Sequence, residues 1–367
     1  MRGPAVRPIV VAAGGTGGHL FPAEALAAEL VRRGHRVALM TDKRGAAMSA
    51  FPAGEIFALR GAGIAGRGVL RAGSAALALA AGAVQARGIL ARLGAAAVVG
   101  FGGYPSVAPV LASRTLRPRP AVVLHEQNAV LGRANRQLAR FADRLALGMA
   151  DTRRIPAGIT ATYTGNPVRP GVLALAGRPY AAPAPDAPVH LLVTGGSQGA
   201  RVFSDAVPAA VALLPPALLA RLRVTQQCRT EDLDRVRAAY AAAGVDAELS
   251  AFFTDLPARL AATDLMIGRA GASTVAELCA IGRPGLLVPL PGAIDGHQAF
   301  NAAASGARVL DQAAAQNPAA LADAIASALA DPAPLAAAIA AHGRTDAAAC
   351  LADLVEAAVQ QTLGTRV

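Results

Sequence analysis

The sequence contains no tryptophan, and aromatic residues make up only 4% of its 367 residues. Proteins that bind single-stranded nucleic acid stack bases on aromatic side chains, and no nucleic-acid-binding motif occurs here, so we expect no nucleic-acid partner. Cysteine is also scarce. Cys228, Cys279 and Cys350 lack the spacing of metal ligands, and their odd number argues against a disulfide framework. We therefore expect reduced, buried thiols and no metal site.

Long hydrophobic runs are absent too. The apolar, uncharged stretch of residues 72–86 falls short of the ~20 residues that a membrane-spanning helix needs. The apolar run near the N-terminus leads directly into a glycine-rich turn, so it does not resemble a secretion signal. A hydrophobic fraction of 54% with 16% charged residues indicates a compact α/β protein, and the length indicates about two domains.

Acidic residues are scarce in the first half of the chain. Residues 1–165 carry 21 Lys and Arg against 7 Asp and Glu, a balance of +14, whereas residues 166–367 carry 14 against 17. This asymmetry indicates that the first half faces a polyanion, an anionic membrane or a phosphorylated substrate. The stretch around residues 72–86 is either a membrane-surface patch or an ordinary core helix with arginines at its ends. The residues of the candidate patch are Arg71, Leu77, Leu79, Val84 and Arg87.

One glycine-rich turn organises the first half. Residues 14–19, Gly-Gly-Thr-Gly-Gly-His, follow a run of β-branched residues and precede a helical pattern that begins near Pro22. Glycines let the backbone approach a ligand closely, and the free N–H groups of a helix start favour negative charge. The match to the dinucleotide fingerprint is poor, because Leu20 stands where the third glycine is expected.

Strand-like and helix-like segments alternate along the whole chain, which is typical of a doubly wound parallel sheet. Apolar runs predict strands at residues 9–12, 37–40, 95–99, 121–124, 189–193, 222–225, 247–249, 265–267 and 286–288. Ligands of such sheets bind beyond the carboxyl ends of the strands. Five polar side chains directly follow predicted strands and should therefore meet at one rim: His19, Tyr104, His125, Glu126 and Asn128.

A domain boundary is expected near residue 165, where proline and glycine cluster and the charge balance changes. A second unit, residues 166–344, has its own strand and glycine turn, Gly195-Gly196-Ser197. The alanine-rich segment 345–367 predicts a terminal helix that packs back on the first domain, residues 1–165. Two such halves predict two Rossmann-like domains with parallel sheets that face each other across a cleft.

The second half contains the groups that a nucleotide diphosphate needs. Ser197 and its neighbouring glycines offer a hydroxyl and backbone N–H groups, and residues 271–274 form a second such turn. Glu277 is suited to a ribose diol, and Gln298 and Asn301 to sugar hydroxyls. No P-loop lysine pattern, metal cluster or Ser–His–Asp order is present, so ATP-driven chemistry is not expected.

Six ordered motifs together closely resemble the MurG family of bacterial N-acetylglucosaminyltransferases: Gly14–His19, Phe101–Tyr104, His125–Asn128, Gly165–Arg169, Gly195–Arg201 and Arg269–Glu277. The resemblance covers nearly the whole chain. It implies a GT-B fold and transfer of GlcNAc from UDP-GlcNAc to the 4-hydroxyl of MurNAc in undecaprenyl-diphospho-MurNAc-pentapeptide (lipid I), which yields lipid II for peptidoglycan. It also implies a peripheral location at the cytoplasmic face of the cell (inner) membrane, with lipid I, the anionic membrane and cell-wall synthesis proteins as partners.

The resemblance also assigns residues to the two substrates. The donor UDP-GlcNAc would be contacted by Thr16, Gly17, Gly18, Asn128, Arg169, Ser197, Phe253, Ala272, Ser273, Thr274, Val275, Ala276, Glu277, Gln298 and Asn301. The acceptor would be contacted by Gly14, Gly15, His19 and Tyr104. The chain departs from the family pattern at Ala270, at His297 and in the run from Gln226 to Arg229. The last departure leaves the role of the loop beside the uracil base undecided.

The implied reaction is a direct displacement that inverts the anomeric carbon. Ser197 and the N–H groups of the glycine turn would stabilise the departing UDP, so no cofactor or metal is obligatory. A histidine suits the removal of the hydroxyl proton near neutral pH, which makes His19 the candidate base, with Glu126 and His125 as alternatives. A UDP-GlcNAc epimerase and a non-catalytic nucleotide-sugar sensor remain alternative functions. Release of UDP only when a lipid acceptor is present would distinguish the transferase from both.

Overall fold

The computed structural model describes residues 7–46, 51–59, 69–196 and 199–364, without the side chains of residues 69–76. Contacts within the chain divide it into two compact units. The first comprises residues 1–169 and 346–367, and the second comprises residues 170–345. Each is a Rossmann-like layer structure with a parallel sheet between helices, so the predicted fold class of two parallel α/β domains is confirmed.

The first unit contains a parallel sheet of seven strands in the order β3-β2-β1-β4-β5-β6-β7. Its strands are β1 (Ile9–Ala12), β2 (Val37–Thr41), β3 (Glu55–Ala58), β4 (Ala97–Gly100), β5 (Ala121–Glu126), β6 (Arg144–Leu147) and β7 (Ala161–Tyr163). The strand order reverses between β1 and β4, which pair in register from Ile9 opposite Ala97. The loops that follow these two strands therefore open at the point where ligands of such sheets bind.

Helices cover both faces of this sheet. They are α1 (Gly17–Arg32), α2 (Lys43–Ala46), α3 (Val69–Leu93), α4 (Tyr104–Ser113), α5 (Arg133–Leu138) and the C-terminal α16 (Ala347–Gly364), with a 3-10 turn at Ala139–Phe141. Alternate side chains of β1 enter the two cores: Ile9 and Val11 pack with α1 and α16, and Val10 packs with α3 and α4. In α16, Leu351 and Val355 are fully buried. Each contributes about 1.5–3 kcal/mol relative to an exposed side chain, which holds the C-terminal helix on this unit.

The second unit repeats the plan with a parallel sheet of six strands in the order β10-β9-β8-β11-β12-β13. Its strands are β8 (Val189–Thr194), β9 (Leu222–Gln227), β10 (Asp246–Ser250), β11 (Leu265–Gly268), β12 (Gly285–Leu287) and β13 (Arg308–Val309). The order reverses between β8 and β11, so the loops after these strands form the equivalent ligand edge.

The described part of this unit contains ten helices beside the sheet: α6 (Pro170–Leu173), α7 (Arg201–Val211), α8 (Pro216–Leu219), α9 (Leu233–Ala242), α10 (Leu256–Ala261), α11 (Ala272–Ile281), α12 (His297–Ala303), α13 (Gln312–Gln316), α14 (Pro318–Ala330) and α15 (Pro332–Ala340). Short 3-10 turns lie at Thr230–Asp232 and Ile294–Gly296. Within the described residues, no single helix is both long and apolar enough to span a membrane. Helices α14 and α15 pass that test only as a pair, which is bent by 84°.

One strand prediction needs a correction that bears on the site. The apolar run predicts that β5 ends at Leu124, but the strand continues through His125 and Glu126. Both of these polar side chains are buried, with exposed fractions of 0% and 2%. They therefore lie inside the first unit beneath the rim at the end of the strand, whereas the sequence pattern placed them in the loop beyond it.

Candidate functional site

The glycine turn after β1 is held by a carboxylate at the end of the neighbouring strand, β2. Asp42, which directly follows β2, accepts hydrogen bonds from the backbone N–H groups of Gly15 (3.3 Å) and Gly45 (2.8 Å). A Cβ atom on Gly15 would overlap the Asp42 carboxylate and the Gly45 backbone, whereas a Cβ on Gly18 would meet no atom within 4 Å. Gly15 is therefore required for close packing, and Gly18 leaves open space at the start of α1.

This difference gives a matched pair of variants. We expect Gly15→Ala to lower the free energy of unfolding by about 1–3 kcal/mol, because the added methyl overpacks the contact with Asp42. Gly18→Ala lies in the first turn of α1 and should cause no loss, since alanine is favoured over glycine in a helix. Chemical denaturation of the two variants measures both effects. Equal stabilities would show that Asp42 does not constrain the turn.

The side chain of His19 begins a chain of three hydrogen bonds that runs into the buried end of β5. His19 Nδ1 lies 2.9 Å from Gln127 Oε1, and Gln127 Nε2 lies 3.0 Å from His125 Nδ1. His125 Nε2 in turn lies 3.1 Å from the carbonyl oxygen of Gly165, whose φ is +81°. Complete burial lowers the pKa of His125 to about 4, so this imidazole is neutral at physiological pH.

Two glycines lie close to the His19 ring, and Tyr104 follows one of them in the chain. A Cβ on Gly103 would lie 3.4 Å from His19 Nε2, and Gly103 has a φ of +68°, which glycine adopts without strain. Gly14 approaches the ring on the Cδ2 side. Tyr104 begins α4 at the same edge, and partial burial raises the pKa of its phenol. The structure thus brings together Gly14, Gly103 and His19 around Nε2.

Glu126 is the centre of a second buried network, which Asn135 connects to His125. Its Oε1 accepts hydrogen bonds from the backbone N–H (3.1 Å) and side-chain amide (3.0 Å) of Asn128. Its Oε2 accepts from the N–H of Gly132 (2.8 Å) and from Asn135 Nδ2 (2.9 Å). A buried carboxylate with four donors positions the loop after β5 and the start of α5. This geometry does not support the expectation that Glu126 is an alternative base.

Arg169 lies in the first unit, beside the start of α1. Its guanidinium carbon is 4.2 Å from the centroid of the Phe21 ring, a cation–π contact. The same ring lies where a Cβ on Gly17 would meet it. Phe21 therefore connects Arg169 to the glycine turn, and Thr16, at the N-cap position of α1, completes this group.

In the second unit, side chains brace the turn after β8 from below. The Thr194 hydroxyl donates to Gln227 Oε1 (2.9 Å) and accepts from the N–H of Gly196 (3.3 Å), while Gln227 Nε2 donates to the Ala251 carbonyl oxygen (3.1 Å). Gly196 has a φ of +78°. Ser197 lies outside the described residues. The run from Gln226 to Arg229, which departs from the family pattern, thus contributes Gln227 to the support of this turn.

Helix α11 presents the other predicted donor residues. Gly271 is its N-cap, and Ala272, Ser273, Thr274, Val275 and Ala276 form its first turn and a half. Glu277 follows in the same helix with an exposed fraction of 6%. Phe253 lies at 8% exposure beneath Arg259, whose guanidinium carbon is 4.3 Å from the ring centroid. The aromatic side chain at position 253 is therefore packed in place.

The polar run near α12 is only partly available to a ligand. Asn301 is fully buried and donates from Nδ2 to the carbonyl oxygen of Ala270 (3.0 Å). The expectation that Asn301 contacts the donor sugar is not supported, because its side chain ties α12 to the loop before α11. Gln298 is half-buried, and its Oε1 accepts a hydrogen bond from the N–H of Leu290 (2.9 Å). Its amide NH₂ is therefore the group that can donate to a ligand.

The candidate membrane patch divides between the two sides of α3. Leu77 and Val84 are 74% and 73% exposed, whereas Leu79 packs against the core. Arg87, one turn beyond Val84, donates from Nε to the Thr115 hydroxyl (3.1 Å). The side chain of Arg71 lies outside the described residues. Leu79 therefore lies on the core side of α3, whereas Leu77 and Val84 lie on its exposed side.

Four positions that matter for these sites were not singled out by the sequence: Asp42, Gln127, Phe21 and Asn135. Asp42 and Asn135 act on neighbouring loops through buried hydrogen bonds, which no local pattern reports. Gln127 was visible as part of the run after Leu124, but its role depends on the extra length of β5. In the described part of the chain, no group of three or more His, Cys, Asp or Glu side chains could hold a metal ion.

Comparison with known proteins identifies both units. The glycosyltransferase family 28 N-terminal domain matches residues 9–147, and the C-terminal domain of the same family matches residues 190–352. A solved structure, the MurG of Acinetobacter baumannii, is 27% identical and has a TM-score of 0.73, with 95% of this chain and 99% of that chain covered.

Two curated relatives are more similar in sequence. The protein of Granulibacter bethesdensis is 56% identical over 97% of this chain and 94% of its own length. The protein of Acidiphilium cryptum is 52% identical over 98% of this chain and 99% of its own length. Both are named UDP-N-acetylglucosamine–N-acetylmuramyl-(pentapeptide) pyrophosphoryl-undecaprenol N-acetylglucosamine transferase. The chain therefore belongs to the MurG family of N-acetylglucosaminyltransferases, within glycosyltransferase family 28.

Proposed function

We propose that this chain transfers GlcNAc from UDP-GlcNAc to the 4-hydroxyl of MurNAc in lipid I and thereby makes lipid II for peptidoglycan. The observation that carries the proposal is the match over nearly the full length to relatives named for this transferase activity. Both family 28 domains are present, so the chain contains the parts of a glycosyltransferase rather than of one binding module. An epimerase or a sensor is not favoured, because these relatives are transferases by name.

The donor is assigned mainly to the second unit. The turn after β8, with Ser197, offers backbone N–H groups to the diphosphate of UDP, and the start of α11 adds the positive end of a helix dipole. Glu277 is assigned to the ribose, Gln298 to the sugar hydroxyls and the backbone at Phe253 to uracil. In the first unit, Thr16, Gly17, Gly18, Asn128 and Arg169 are the further donor contacts.

The acceptor is assigned to the first unit, at Gly14, Gly15, His19 and Tyr104. In the reaction, the hydroxyl oxygen of MurNAc forms a bond to the anomeric carbon while the bond from that carbon to the UDP oxygen breaks. The electron pair leaves with UDP, and the hydroxyl proton passes to His19. Negative charge that develops on UDP is stabilised by the fixed N–H groups of the glycine turns, so the residues themselves supply the stabilisation that the step needs.

His19 is the proposed base because of its surroundings. Its Nδ1 is engaged by Gln127, and its Nε2 faces the glycine-lined edge formed by Gly14 and Gly103. Glu126 is engaged by four donors, and His125 is completely buried with a lowered pKa, so neither can reach a substrate hydroxyl. The geometry favours His19 over both alternatives.

UDP release from UDP-GlcNAc tests the proposed function. We expect release to depend on a short-chain lipid I analogue and to be undetectable without it. An epimerase would convert UDP-GlcNAc with no acceptor present, and a sensor would release no UDP with or without the analogue. Either result, obtained with folded protein, would overturn the assignment.

The membrane partner is assigned to the first unit, at the cytoplasmic face of the cell membrane, where the enzyme would bind peripherally. The exposed face of α3 combines apolar Leu77 and Val84 with Arg87. Arg87 contacts Thr115, and the preceding residue Arg114 lines a cavity of about 720 Å³. The cavity is also lined by Arg117, Arg119 and Arg144, with Asp143 as its acidic residue. Apolar side chains beside arginines are suited to a surface of anionic lipid.

We expect the double variant Leu77→Glu/Val84→Glu to bind vesicles of anionic phospholipid at least about tenfold more weakly than the parent, because two apolar anchors become charges of the membrane's own sign. Sedimentation with vesicles at low and high salt measures the loss. Leu213→Glu, at a 58% exposed leucine of the second unit, is the matched control and should bind as the parent does. Unchanged binding by the double variant would remove α3 from the membrane contact.

A further inference from the structure

The hydrogen bonds behind His19 determine which of its nitrogens carries the proton. Gln127 Nε2 lies 3.0 Å from the carbonyl oxygen of His125 as well as 3.0 Å from its Nδ1. A carbonyl oxygen only accepts, so the amide group that faces it must be the NH₂ and cannot be the amide oxygen. The orientation of the Gln127 amide is therefore fixed by chemistry, and Oε1 is the atom that faces His19.

The same reasoning assigns the protons of both imidazoles. Since Gln127 Oε1 only accepts, His19 Nδ1 must donate to it and therefore carries hydrogen. His125 Nε2 donates to the Gly165 carbonyl oxygen, which leaves His125 Nδ1 to accept from Gln127. A protonated His125 would direct an Nδ1–H at the Gln127 NH₂, a contact between two donors.

Burial makes this arrangement rigid. Gln127 and His125 are 1% and 0% exposed, and the His125 ring packs 5.3 Å from the centroid of Phe101. Asn135 Nδ2 also donates to the His125 carbonyl oxygen (3.1 Å). Both hydrogens of the Gln127 amide and its oxygen are thus satisfied, and reversal of the amide would leave buried groups unpaired at a cost of about 1–3 kcal/mol each.

We propose that Gln127 and His125 are positioning residues that hold His19 as its Nδ1–H tautomer and so present the lone pair of Nε2 to the acceptor hydroxyl. This proposal rests on the proposed role of His19 as the base. It also explains two motifs of the sequence in physical terms: the His-Glu-Gln run supplies both relay groups, and Gly165 supplies the terminal acceptor through its left-handed backbone. In the other tautomer, a hydrogen on Nε2 would leave that nitrogen without a lone pair to accept the proton of the acceptor hydroxyl.

The tautomer can be measured without reference to activity. We expect ¹⁵N-histidine NMR of the whole protein at neutral pH to show a protonated Nδ1 and an unprotonated Nε2 for His19, identified by the signals missing from His19→Gln. In Gln127→Met, which removes every hydrogen bond of the amide at similar size, the two tautomers should exchange. A protonated Nε2 in the parent protein would overturn the proposal even if His19 proves essential.

Steady-state kinetics provide a second test of the positioning role. We expect Gln127→Met to lower kcat by about tenfold to a hundredfold with KM for UDP-GlcNAc within twofold of the parent, as for other residues that orient a catalytic group. Gln127→Glu keeps an acceptor for His19 Nδ1–H but places a carboxylate oxygen against the His125 carbonyl oxygen, so it should recover kcat at most in part. Ser113→Ala loses a buried hydrogen bond in α4 that is unconnected to His19 and should leave kcat unchanged.

Failure of His19 as the base and failure of the positioning role give different results. Full activity of a folded His19→Ala variant would reject His19 as the base while leaving the tautomer measurable. Normal kcat in a folded Gln127→Met variant would reject the positioning role while leaving His19 in place.

Discussion

Replacement of His19 by alanine is expected to lower kcat by about 10²- to 10⁴-fold, the range that a positioned general base contributes. The expected loss is in kcat because the imidazole acts on the acceptor hydroxyl as the new bond forms. KM for UDP-GlcNAc should change little, since the donor groups on α11 and at Gln298 are untouched. The measurement is steady-state UDP release with a saturating lipid I analogue.

A control separates loss of the base from loss of a histidine. His342→Ala removes an exposed histidine of the second unit and should retain the activity of the parent. Recovery of His19→Ala by added imidazole would support proton transfer at this position. A folded His19→Ala variant with normal kcat would show that the base lies elsewhere or that the step needs none.

Removal of the Glu126 carboxylate is expected to have the largest effect on stability. Glu126→Ala removes the acceptor of four hydrogen bonds: two from Asn128, one from the N–H of Gly132 and one from the amide of Asn135. A buried donor that loses its acceptor costs about 1–3 kcal/mol, and water reaches the half-buried Asn128 and Gly132, so we expect a total loss of about 3–5 kcal/mol. Thermal and chemical denaturation measure the loss directly.

Comparison with His19→Ala distinguishes a structural role of Glu126 from a role in catalysis. Glu126→Ala should unfold at a lower temperature, and its activity below that temperature should fall less than that of His19→Ala. A variant with normal stability and no activity would return Glu126 to the list of candidate bases. Asp151→Ala, at an exposed acidic residue of the same unit, should match the parent in both respects.

Much of the fold follows from local pattern. The β-branched run at residues 9–12 and the glycines after it predict the first strand and turn, because each feature has a local physical cause. Short edge strands such as β3 and β7 were not predicted, since they are only partly buried and span three or four residues. The two-domain α/β class was predictable because the strand–turn–helix pattern occurs in both halves.

The site was less predictable where its residues act through buried hydrogen bonds. His125 and Glu126 look like rim residues in the sequence, but the strand carries them into the interior because each finds a full set of partners there. Asn301, predicted to contact the donor sugar, likewise donates from its side-chain amide to a buried carbonyl oxygen, that of Ala270. Leu79 lies two residues from Leu77 on α3, so the two side chains point in different directions.

The product of the reaction tests the account most directly. UDP-GlcNAc labelled with ¹³C at the anomeric carbon, incubated with a lipid I analogue, should give one disaccharide whose new bond is β-configured and joined to the 4-oxygen of MurNAc. NMR of the purified product reports both properties. A β-1,4 linkage is the result that the account predicts; an α linkage, or a labelled sugar that never leaves UDP, would contradict it.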